Sequence, residues 1–68
     1  MTDQQIVKSC NALAAKIYES MGYTSPKGYR FDQAKHPQES GCWSMAVMAY
    51  EHIGDIDVEE ALERLFEQ

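Results

Sequence analysis

Positive charge is scarce in this chain. Its 68 residues carry six Lys and Arg against eleven Asp and Glu, a formal net charge of −5. That balance argues against DNA, RNA or an anionic membrane as a partner of the whole surface. Cysteine is equally sparse, and Cys10 and Cys42 form no closely spaced pair of the kind that structural zinc sites use. Cys42 and His52 fall on one predicted helix, about 15 Å apart along its axis, and His36 points a different way from Cys42. No metal and no cofactor is expected. The few glycines fit neither a Walker nor a dinucleotide-binding pattern. No apolar run approaches the ~20 residues of a membrane span, and no apolar segment follows the polar start Met1 to Gln5, so a cytoplasmic setting without a leader is expected. A single domain of this size buries only about 60% of the surface its unfolded chain exposes. There is little room for an enzyme cleft, and no enzyme is expected.

What the chain does hold is helical periodicity. Thr2 to Met21 predicts a first helix: Thr2 and Gln5 have capping-box spacing, and Ile6, Cys10, Leu13, Ala14, Ile17 and Met21 repeat on one face. Gly22 closes it, and Lys8, Asn11, Lys16 and Glu19 face water on this reading. Residues 37–53 predict a second helix, with Pro37 at its first position and Glu39 placed to reach back to His36. Its apolar residues, from Cys42 and Trp43 through Met45, Ala46, Val47, Ala49, Tyr50 and Ile53, cover more than half the circumference. A stripe of roughly 100° suffices for a surface helix, so this one should be central, packed on two neighbours or on another copy. Asp57 and Glu60 open a third helix over residues 58–67, with Ile56 as a staple and Val58, Ala61, Leu62, Leu65 and Phe66 as its apolar stripe. The short connection predicts that it folds back on the second helix. The expected fold is all-α, one domain over residues 1–68, a compact three-helix bundle with a long structured loop at residues 22–36.

Three groups of residues are candidates for function. The first is acidic: Glu51, Glu59, Glu63 and Glu67 create a negative surface, with Glu60 to Arg64 as the compensating pair of the last helix. Such a surface suits a basic groove on another protein; alternatively it is a solvated face. The second is the loop, where Lys27, Arg30 and Lys35 alternate with Tyr23, Tyr29 and Phe31 and lead to His36 at a helix start. Lys27, Tyr29, Arg30, Lys35 and His36 together would suit a phosphorylated or nucleotide-like anion, by ion pairing and stacking. Phe31 and one tyrosine are nevertheless expected to plug the end of the bundle, with the cations solvating the loop, and Asp32 is placed to cap a short turn over residues 33–35. The third is the pair Met45 and Met48, either core filling or an exposed seam for a partner or a homo-oligomer. Cys10 and Cys42 read as buried thiols, with a disulfide between packed helices as the alternative.

The segments GYRFDQAKHPQE and CWSMAVMAYEHI, with the acidic DVEEALERL end, resemble small uncharacterised proteins encoded by phages and prophages. That resemblance covers roughly residues 22–65 and carries no residue role. It implies a class of proteins that often block or sequester host components, inhibitors of defence systems among them. The leading expectation is therefore a noncatalytic inhibitor of a host protein or complex. It would act through the acidic last helix and the exposed edge of the second, without direct nucleic-acid or membrane binding. The alternatives are an oligomer that sequesters an anion in the loop and a structural assembly component.

Overall fold

Thr2 caps the first helix as its spacing predicts. Its hydroxyl accepts the Gln5 N–H at 3.2 Å, and the Gln5 side chain accepts the Thr2 N–H at 2.9 Å. The computed structural model describes residues 2–67. These form α1 (Asp3–Ser20), a single 3-10 turn (Phe31–Gln33), α2 (Pro37–Ile53) and α3 (Val58–Phe66), with no strand among the described residues. The chain is compact and all-helical. At the end of α1 the Gly22 N–H bonds Glu19 and the Tyr23 N–H bonds Tyr18, at 3.0 and 3.4 Å. Gly22 sits at φ +94°, the left-handed position that this paired closure requires. Pro37 opens α2, but no side chain caps it, so Glu39 does not make the bond to His36 that its spacing offers. Asp57 caps α3 by accepting the Glu60 N–H at 2.9 Å.

The helix at the centre is α1, not α2. Both α2 and α3 pack chiefly on α1 and touch each other little, so α3 does not fold back along α2 as its short connection suggested. Ile6, Cys10 and Ala14 of α1 join Cys42, Ala46 and Val47 of α2 and Val58 and Ala61 of α3 in one buried core. The end of α1 meets the start of α2, where the Cys42 thiol lies 3.7 Å from the Met21 sulfur. Both cysteines are free and buried. A second neighbour for the broad apolar arc of α2 is absent among the described residues, apart from the 3-10 turn and a light contact with α3. Met45, Met48 and Ile53 therefore remain exposed, Ile53 at 87%. Phe66, assigned by periodicity to the core stripe, is also exposed, at 69%. It sits in the last turn of α3, beyond the reach of the core.

Phe31 anchors the connection between α1 and α2. Its side chain is 1% exposed and meets the rings of Tyr18 and Tyr29 edge-on, with centroids 5.5 and 4.9 Å away. Tyr23 stacks on Tyr18 at 4.8 Å. The 3-10 turn starts at Phe31, two residues earlier than the Asp32 cap predicted, and Asp32 caps nothing there. Its carboxylate is fully covered and bonds Arg30 and Asn11 instead.

Candidate functional site

One face of α1 remains uncovered by α2, and an open groove of about 800 Å³ runs along it. Gln4, Val7, Asn11, Ala12, Ala15 and Glu19 form its floor, following the helical repeat along one side of α1. That stripe spans ~22 Å of helix axis. The small side chains of Ala12 and Ala15 keep the middle of the floor low. Leu62, Leu65 and Phe66 of α3 bound the groove, as do residues 25–31 of the connection.

The charge around the groove reverses that of the whole chain. Lys8, Lys27 and Arg30 line it, against the single carboxylate of Glu19. Half of the chain's six basic residues thus converge on one apolar channel. Lys8 and Lys27 make no ion pair among the described residues. Arg30 is held in place by a fork. Its Nε and Nη2 donate to the two Asp32 oxygens at 2.9 and 2.8 Å, which leaves Nη1 without a partner among the described residues. Burial alone would raise the Asp32 carboxyl, yet hydrogen bonds from Arg30 and Asn11 outweigh it and hold the group below the usual carboxylate range. The Asp32 hydrogen bond in turn raises Arg30. Tyr29 is raised as well, first by the nearby Glu39 carboxylate and then by burial.

Asn11 ties the connection to α1. Its amide nitrogen donates to the Val7 carbonyl at 3.1 Å and to Asp32 at 2.9 Å, and its oxygen accepts the Phe31 N–H at 2.6 Å. The water-facing role that periodicity gives Asn11 is therefore incorrect. Lys8 was also missed as a groove residue, because nothing in its own helix marks it. The relevant signal at Asn11 was weak: an amide inside a helix gains little there unless its side chain has another task.

The loop candidates divide. Lys27, Tyr29 and Arg30 line the groove, whereas Lys35 and His36 lie beyond the 3-10 turn, exposed at the entrance to α2 and outside it. The acidic candidates divide too. Glu51 borders a small hollow with Asp55 and Asp57 at the corner between α2 and α3, while Glu59, Glu63 and Glu67 are exposed on and just after α3. Met45 and Met48 belong to neither hollow. Arg64 compensates more than the sequence suggested: it bonds Glu60 at 2.8 Å and also reaches across to Asp3, at 3.0 and 2.9 Å. Its attention to Asp3 and Glu60 leaves Glu59 and Glu63 uncompensated among the described ion pairs.

No group of His, Cys, Asp and Glu that would hold a metal ion occurs among the described residues, and no described helix is long and apolar enough to cross a membrane. Comparison with family models, curated proteins and solved structures gives no match.

Proposed function

We propose that this chain is a noncatalytic binding protein whose groove receives an acidic, amphipathic helical segment of another protein. One observation carries the reading: a partly apolar channel lined by three cations, of which Arg30 is already paired with Asp32, and by one carboxylate, in a chain with a net charge of −5. Its length along α1 suits about four helical turns, and the small side chains of Ala12 and Ala15 let a guest helix approach closely. Apolar anchors would enter the channel while flanking carboxylates meet Lys8, Lys27 and Arg30. The connection 22–36 acts in this reading as a structured wall, fixed by Phe31 and Asn11. A stoichiometric inhibitor of a host defence complex is the form of this function that agrees with the phage-type resemblance.

A second reading rests on the outer side of α3, where Glu59 and Glu63 lie beside the exposed Phe66. Such an acidic ridge with an aromatic anchor suits a basic groove on a host protein.

The first reading is tested with a synthetic amphipathic helix bearing leucines on one face and glutamates at its flanks. Titration followed by amide chemical shifts should perturb Val7, Lys8, Ala12, Arg30 and Phe66, and the double variant K8E/K27E should bind about tenfold or more weakly. A lysine-flanked version of the same peptide should not bind. Equal binding of both peptides, or shifts confined to α2, would reject the groove as the site.

A further inference from the structure

The groove and the acidic ridge adjoin one another on a single face. Phe66 belongs to both: it lines the groove, yet 69% of it is open to solvent. At about 100° per residue, Glu59 and Glu63 fall within ~60° of Phe66 around α3, whereas Arg64, with Asp3 and Glu60, takes the other side. The patch therefore sets a basic, apolar channel directly beside an acidic ridge with an exposed aromatic ring. Each half is the complement of the other. A two-fold dimer requires this property, since one patch must pair with a copy of itself.

We infer that a second copy of this chain occupies the groove of the free protein. In the closed pair, Phe66 of each protomer enters the channel of its partner, and Glu59 and Glu63 approach Lys8, Lys27 and Arg30. Both contacts form at once, so the pair closes as a dimer. The inference rests on the groove being a docking site, and it adds a regulation: a partner segment must displace the second copy in order to bind. The net charge of −5 on each protomer opposes association only weakly, because repulsion between distant charges is screened at physiological salt, whereas the close pairs lie within the ~8 Å Debye length.

A charge exchange tests the arrangement. Sedimentation equilibrium from micromolar to millimolar protein should show a monomer–dimer equilibrium for the wild type. K8E/K27E makes both groove and ridge acidic; E59K/E63K makes both basic. Each variant alone should dimerise about tenfold or more weakly, with unchanged helical circular dichroism, and an equimolar mixture should recover a heterodimer in which both contacts are opposite in sign. Phe66→Ala should weaken the dimer without altering the helix content. A wild-type protein that stays monomeric throughout overturns the inference. So do variants that self-associate as strongly as the wild type, a mixture that fails to pair, or a mass that grows past the dimer. The E59K/E63K protein keeps its groove intact and separates the two ideas. If it binds the glutamate-flanked peptide while the wild type never dimerises, the groove reading survives and the dimer fails. If the charge exchange succeeds but that peptide never binds, the reverse holds.

Discussion

The side-chain oxygen of Asn11 accepts the backbone N–H of Phe31 at 2.6 Å, and this bond joins the middle of α1 to a connection that has little regular structure of its own. It fixes the Phe31 ring in the core and brings Tyr29 and Arg30 to the groove wall. A buried donor left without an acceptor costs about 1–3 kcal/mol.

Asn11→Ala should therefore destabilise the protein by about 1–2 kcal/mol, the lost bonds being partly offset by alanine's better helix propensity. Urea unfolding checks this. The amide of Phe31 should also lose its protection from hydrogen exchange before the amides of the α1 core do. A variant with unchanged stability and unchanged exchange would show that the Asn11 bonds do not hold the connection.

Asp32 sets an acid limit. Its folded pKa lies below the usual 3.8, so its contribution to stability is fully present above that value and is lost as pH falls through the folded pKa. Asp32→Asn should be less stable than the wild type at neutral pH, and the gap should narrow below about pH 3.8 as the wild-type carboxylate takes up its proton. Melting temperatures measured over this range decide the matter. A gap that stays constant with pH would assign the loss to packing rather than to charge.

Asp55 takes φ +54° just after α2, while the preceding Gly54 caps the helix in a right-handed conformation. A non-glycine residue in this region costs about 1–3 kcal/mol, towards the low end for Asp. Asp55→Gly relieves that cost but raises the entropy of the unfolded chain by an equivalent of ~0.4–1 kcal/mol. A net gain of up to about 1 kcal/mol in urea unfolding is expected. A loss would mean that the Asp55 side chain makes a contribution that outweighs its backbone conformation.

The thiols should be inert while the protein is folded. Burial, with the Asp32 charge second, pushes Cys10 up to about 12, and burial with Glu39 raises Cys42. The thiolate is the reactive form. At pH 8 a thiol reagent should modify neither cysteine within the native lifetime and both after denaturation. Prompt labelling of Cys42 in the native state would place it at an opening between α1 and α2.

Much of the helical architecture could be read from local chemistry. Thr2 with Gln5, Pro37 and Asp57 with Glu60 mark where the helices begin, because capping and proline preferences act over three or four residues. Gly22 marks an end for the same reason. The burial of Phe31 was also anticipated, as an aromatic ring within a polar turn has few other uses. Contacts across the chain were not legible. Nothing near Arg64 in sequence points to Asp3, and nothing near Lys8 points to Lys27 and Arg30. The width of the α2 apolar arc suggested a central helix, but hydrophobicity is non-directional and does not name its partner. Local spacing thus determined which segments are helices and where they stop, since those interactions reach only neighbouring turns. The tertiary structure alone decided that α1 is the hub, that Phe66 stays outside the core, and that three scattered cations share one groove. Those outcomes depend on which faces meet in space, and faces far apart in sequence carry no mark of one another.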